Sequence, residues 1–171
     1  MKLLIKILFP IIIVIDVSYF GYRIAQISHI KKIRKEKIAQ IPAFKLKTLQ
    51  GNFFTNEDLK QNVPIVFLYF NSNCDFCQEE TEEIVSNIKK LDNIQIIFIS
   101  NEPIPQIMAF QQKNKLDNYN NVSILHDFDY KFAELFGLKT VPTSFIYNKN
   151  GVFLNKNDGP STVDYLLEII K

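Results

Sequence analysis

The chain has 171 residues, 47% of them hydrophobic and 22% charged, which suits one globular domain with a real core and excludes a disordered polymer. Two cysteines are too few for a disulfide-stapled mini-protein. The net charge of +2 conceals an asymmetry: residues 1–40 carry eight Lys/Arg against Asp16 and Glu36, whereas residues 41–171 carry twelve against sixteen acids. An acidic body offers no electrostatic footprint for nucleic acid.

The N-terminus reads as a basic start over 1–6 followed by an apolar run over 7–15, and the 3–22 window is about one bilayer long. Asp16 near its centre costs roughly 2.5–3.5 kcal/mol on insertion scales. No small-x-small cleavage site follows clearly. The expectation is a signal-anchor or transmembrane segment over 1–22, with a cleaved signal peptide as the alternative. A basic stalk or solvated linker over 23–40 and a folded domain over 41–171 follow. The short n-region favours export, which places the domain outside the cytoplasm, in a periplasm-like space. Arg23, Lys31, Lys32, Arg34, Lys35 and Lys37 oppose this, because the positive-inside rule holds such a flank in the cytoplasm. A cytoplasm-facing orientation therefore stays open.

Pro42 closes the stalk. Residues 43–48 alternate as an edge strand, turn at Gln50-Gly51 and return through Phe53-Phe54. Thr55 and Asp58 cap a short helix that runs through Leu59. Residues 64–70 form a nearly unbroken apolar strand, as expected for one covered on both faces. Past Cys77, a helical stripe of Thr81, Ile84, Val85, Ile88 and Leu91 opposes Glu79, Glu82, Glu83 and Lys90. A second buried strand over 94–100 precedes a helix over 105–115, a brief strand over 122–125 and a helix over 129–136 stopped by Gly137. Strands over 142–147 and 152–154 flank Asn148-Lys-Asn-Gly151, a hairpin signal. Ser161 caps the last helix, 162–170, with Asp164 completing a capping-box-like pair. Strands alternating with helices, then a hairpin and a helix, imply an α/β sandwich with a mixed sheet.

Cys74-Asp75-Phe76-Cys77 stands where a strand hands over to a helix. Two sulfurs three positions apart close a small disulfide ring or supply part of a metal site. At a helix N-terminus the first becomes a better thiolate, because unpaired N–H groups and the helix dipole favour negative charge. A metal needs two more good ligands, and the only histidines are His29 in the stalk and His126 ahead of a helix, so neither metal nor cofactor is expected. Asp75 and the glutamates at 79, 80, 82 and 83 place like charge near the Cys74 sulfur, which disfavours its thiolate. A strong oxidant such as DsbA needs the opposite. The expected role is a reductant, with Phe76 as an apolar contact at the rim.

The strand, the Cys-x-x-Cys, the long helix, Gly137-Leu-Lys-Thr-Val-Pro142-Thr-Ser-Phe-Ile-Tyr and the Asn-Gly hairpin together resemble a thioredoxin fold over 42–171. With the N-terminal anchor and the opening hairpin of 44–51, the chain is similar to the membrane-tethered TlpA/ResA-like thiol-disulfide oxidoreductases. That resemblance implies a three-layer sandwich with a mixed central sheet behind an N-terminal transmembrane helix. It implies that Cys74 is the exposed nucleophile and Cys77 the resolving thiol. Pro142 would be cis and would face the dithiol, turning the Val141 backbone outward to pair with an extended substrate. Phe76, Val141, Pro142 and Thr143 are the expected substrate contacts.

Two residues depart from the family pattern. Asn73 replaces the usual tryptophan before the first cysteine, and Leu68 stands where thioredoxin carries a buried acid. ResA-like members instead place a glutamate three residues after the second cysteine, a position that Glu80 fills. Residues i and i+3 share a helix face, so Glu80 could reach Cys77 as its base; the plainer reading is an acidic first turn favoured by the dipole. The implied partners are a protein disulfide substrate and an upstream thiol donor, a membrane electron-transfer protein if the domain faces out. Two other functions compete: a tethered thioredoxin-like binding module without redox turnover, and a peroxiredoxin-like peroxidase. The peroxidase needs a Thr or Ser where Asn71 stands and a proline where Phe67 stands.

Overall fold

Strand β3 (Ile65–Tyr69) is buried along its whole length because helices cover the sheet on both sides. It anchors a computed structural model that describes the backbone of residues 2–171, with the side chains of 2–15, 31, 32 and 34 outside the described set. The chain divides into two units, Met1–Lys37 and Ile38–Lys171.

The first unit is one helix, α1 (Lys2–Lys37), so no break marks the expected boundary between 22 and 23. Among the described residues no helix is long and apolar enough to cross a membrane. The side chains of 3–15, most of the expected anchor, lie outside the described residues.

The second unit begins three residues earlier than 41. Ile38 is buried and its carbonyl accepts from Tyr147 Oη at 3.1 Å, while Gln40 pairs with Val152. The end of the expected stalk is thus an extra edge segment laid along the C-terminal hairpin.

The remaining strands are β1 (Lys45–Thr48), β2 (Phe53–Thr55), β4 (Gln95–Ser100), β5 (Val122–His126), β6 (Thr143–Tyr147) and β7 (Phe153–Asp158). They form one seven-stranded sheet in the order β2-β1-β5-β4-β3-β6-β7. The central β3–β4 and β4–β5 pairs are parallel and all others antiparallel, so the sheet is mixed as expected. β1 is not an edge strand. It lies between β2 and β5, and the short β2 takes the edge.

The period-2 alternation of β3 sorts its side chains into two cores. Val66, Leu68 and Phe70 enter a layer with Ile84 of α2 (Asp75–Ser86), Ile107 and Phe110 of α3 (Ile104–Asn114), and Val163 and Leu166 of α5 (Val163–Ile170). Ile65, Phe67 and Tyr69 enter the opposite layer with Phe132 and Phe136 of α4 (Lys131–Phe136) and with Phe44. Helices, sheet and helix make three layers.

Several ends differ from expectation for local reasons. α2 stops at Ser86, and Ile88–Leu91 continues as a 3-10 turn that still buries Leu91. α4 begins at Lys131, two residues late, because Tyr130 is left-handed (φ 60°) and Asp127 takes the first N–H groups. Gly137 ends it at φ 62°, as its lack of a Cβ allows. α5 is capped by Thr162, whose side chain accepts from Tyr165 N at 3.2 Å, so Ser161 is not the cap. Asp164 instead faces Lys90 across solvent at 3.7 Å. The capping box at Thr55 is present: Thr55 N donates to Asp58 Oδ2 at 2.8 Å, and Thr55 Oγ1 accepts from Glu57 N at 3.3 Å.

Candidate active site

Topology brings the cysteines and Pro142 together. β6 runs antiparallel to β3 with Tyr69 opposite Thr143, so the residues just before β6 lie beside the loop that leaves β3. That loop carries Cys74 to the N-cap of α2. Its carbonyl accepts from Cys77 N and Gln78 N at 3.1 Å each, while its side chain makes no cap bond. The sulfur therefore sits where unpaired helix N–H groups favour negative charge without being consumed as a cap. Cys74 is half-buried, and its thiol lies 3.9 Å from the Val141 carbonyl oxygen, to which it donates. The Val141–Pro142 peptide is cis.

Cys77 is sealed one turn further on, 1% exposed, and both thiols are free. Burial pushes the Cys77 thiol well above the ordinary cysteine range. Its hydrogen bond to Cys74 and the charges of Cys74 and Glu80 act the same way, opposed by a bond with the Asn71 backbone. The two sulfurs thus differ in exposure, one partly open and one sealed.

Glu80 is buried on the Cys77 side of α2. Its Oε1 accepts from Ser161 N at 2.8 Å. Burial pushes its carboxyl up to about 7, against the lowering effect of Ser161, and the charge of Glu83 adds to the rise. A carboxyl poised there can hold or release a proton near neutrality. Ser161, expected as a helix cap, is instead the partner of this acid, and its hydroxyl lies 3.0 Å from that of Ser144.

The other expected contacts divide. Phe76 is 59% exposed on the first turn of α2, beside the exposed Asp75, and is available as a rim contact. Val141 is partly buried and Pro142 buried. Thr143 is not a surface contact: it is fully buried, and its hydroxyl donates to Thr140 O at 2.7 Å and to Asp158 Oδ1 at 3.2 Å. Its part is to brace the 140–142 loop from within, because β6 points it inward. His126, ahead of α4, is the last residue of β5, opposite Lys47 and Ser100, and burial lowers its pKa. Among the described residues no three His, Cys, Asp or Glu side chains gather as a metal would need.

Sequence reasoning missed Glu102. It is buried, and its carboxylate accepts from Ser72 N at 2.6 Å and from Ser72 Oγ at 2.7 Å, two residues ahead of Cys74. Its signal was positional: an acid just past the carboxyl end of a central parallel strand, where open α/β sheets build their sites.

The comparisons agree with this architecture. A model of the AhpC/TSA family matches residues 39–154, more than half of the chain. No curated protein matches it. Among solved structures, Mycobacterium tuberculosis DsbF, seen in mixed oxidised and reduced forms, is similar with a TM-score of 0.64 at 21% identity, over 74% of this chain and 91% of that one. StoA from Bacillus subtilis gives 0.59 at 22%, over 77% and 98%. A secreted Mycobacterium tuberculosis disulfide oxidoreductase homologous to E. coli DsbE gives 0.61 at 20%, over 78% and 93%. At these identities the likeness shows the fold. The folded unit is thioredoxin-like, and the chain belongs to the AhpC/TSA family.

Proposed function

We propose that this domain is a thiol-disulfide oxidoreductase that reduces protein disulfides, of the TlpA/ResA-like kind. One observation carries the reading: an accessible, uncapped thiol at a helix N-terminus lies against the Val141 carbonyl, with a second thiol sealed one turn behind it. The Cys74 thiolate attacks a substrate disulfide, forming a mixed disulfide and releasing one substrate thiolate. Cys77 loses its proton to Glu80 and attacks the Cys74 sulfur. The Cys74–Cys77 disulfide forms, the second substrate thiolate leaves, and two electrons have passed to the substrate. Burial makes Cys77 a poor acid on its own, so a nearby base held near neutrality supports this sequence.

Phe76, Val141 and Pro142 form the substrate face. Asp75, Glu79 and Glu82 lie exposed around the first turns of α2 and make that end of the helix acidic. An upstream thiol donor, a membrane electron-transfer protein, re-reduces the pair if residues 1–22 anchor the domain outside the cytoplasm. A reporter fused at the C-terminus tests that orientation.

Two positions, one in the loop and one in β3, weigh against the peroxidase reading. Asn71 has its side-chain oxygen engaged by Asn73 N at 2.9 Å, and Phe67 is fully buried in the aromatic core. The deciding experiment replaces Cys77 by serine. The expected result is substrate trapped on Cys74 as a mixed disulfide that dithiothreitol releases. Partners that bind with no covalent adduct would establish a binding module instead, and turnover of hydrogen peroxide by the native chain a peroxidase.

A further inference from the structure

We propose that Glu102 is a positioning residue for the attacking thiol: it clamps the loop that presents Cys74. The proposal rests on the reading that Cys74 attacks a substrate disulfide. Glu102 Oε2 accepts from Ser72 N at 2.6 Å and from Ser100 Oγ at 3.0 Å, and Oε1 accepts from Ser72 Oγ at 2.7 Å. The Ser72 carbonyl accepts in turn from Gln78 Nε2 of α2 at 3.0 Å. Lys113 of α3 donates to the other end of that Gln78 amide. Every polar group of Ser72 is therefore held, by Glu102 just past β4 and by Gln78 of α2, two residues before the sulfur.

A buried carboxylate is an expensive way to join a strand end to a loop, since apolar packing stabilises at lower desolvation cost. What it adds is direction. Hydrogen bonds to a charged acceptor are short and oriented, and here they lock a segment that lies outside both helix and sheet. The neighbouring Asn71 closes the rest of the loop: Asn73 N donates to Asn71 Oδ1 at 2.9 Å and Cys74 N to Asn71 O at 3.2 Å. The angle at which Cys74 Sγ meets Val141 and an incoming disulfide is thereby defined at its root. In-line attack on a disulfide is sensitive to that angle, and a shift of about 1 Å costs up to about a hundredfold in comparable reactions.

The test compares reduced native chain with Glu102→Gln, Ser72→Ala and Ser72→Thr. The rate of reaction with a short disulfide-linked peptide is measured across pH, well below each variant's melting transition. Glu102→Gln and Ser72→Ala are expected to slow the reaction about tenfold at every pH, because the charged acceptor or a clamp bond is lost. Ser72→Thr, which keeps the hydroxyl, retains the native rate. Ser72→Ala keeps the test alive should Glu102→Gln fail to fold. Variants that melt lower yet react at the native rate overturn the proposal and leave Glu102 a fold-stabilising residue only. A native chain inert toward the peptide while Cys74 still alkylates with iodoacetamide overturns the oxidoreductase reading, and this proposal with it.

Discussion

On the α4 face of the sheet, Phe67 touches the rings of Phe44, Phe132, Phe136 and Tyr147 at 5.5–5.9 Å, and Phe132 stacks on Phe136 at 4.1 Å. The buried acid there, Asp127, accepts from Tyr69 Oη at 3.0 Å, Phe132 N at 3.1 Å and Ala133 N at 3.0 Å. On the α2 face the core is mainly aliphatic, and it holds Cys77 and Glu80. Glu80 has Ser161 as its hydrogen-bond partner, and burial prevails over that help. The contrast separates two uses of a buried carboxyl. Surrounded by donors, it fastens elements together; short of them, it keeps a high proton affinity and can serve as a reagent.

The comparison breaks most visibly at Phe67. Phe67→Ala is expected to destabilise the domain by about 3–5 kcal/mol in urea unfolding, while thiol exchange by the folded fraction is unchanged. A fall in the folded-state exchange rate would show that the two faces are not separable.

Glu80→Gln acts on the other face and reads out against pH. The folded Glu80 carboxyl titrates near 7 against an ordinary value of 4.5. Between those values the folded chain binds more protons than the unfolded one, so this group makes stability fall as pH rises from about 4.5 to about 7. The full fall is about 3 kcal/mol. Glu80→Gln should flatten that slope and slow resolution of the mixed disulfide. A slope that persists would assign the titration to another group.

Asp127→Asn sharpens the contrast. It leaves a buried N–H short of an acceptor and should cost about 1–3 kcal/mol without moving the pH profile of thiol exchange. The smallest effect is expected at the α5 cap. Thr162→Ala should lower stability by about 1 kcal/mol and leave Glu80 untouched, since the cap bond runs to Tyr165 N. A shift in the Glu80 titration in that variant would mean that the Ser161–Thr162 segment acts as one unit.

Much of the fold was legible because its signals are local. The apolar run through β3, the Asn148–Gly151 turn, the Thr55 capping box and the Gly137 stop each announce themselves within a few residues. The cysteine pair at the strand-to-helix handover was legible for the same reason, and so was the possibility that Glu80 shares a face with Cys77. The inward hydroxyl of Thr143 was not legible, because the motif named the segment while the strand period decided which way that hydroxyl pointed. Ser161 was misread because two adjacent hydroxyl residues can both cap a helix, and only the buried acid of α2 decided between them.

By itself, then, the amino-acid order determined the succession of elements, the sandwich class, the acidic body and the place of the cysteine pair at the strand-to-helix handover. These follow from spacing and side-chain chemistry over a turn or two. Only the tertiary structure decided that β1 lies inside the sheet, that Glu102 reaches back 30 residues to Ser72, and that Ser161 meets Glu80 across 81. The physical reason is that periodicity reports which face of an element is buried but not what it is buried against. A carboxylate's role depends on the donors it finds there.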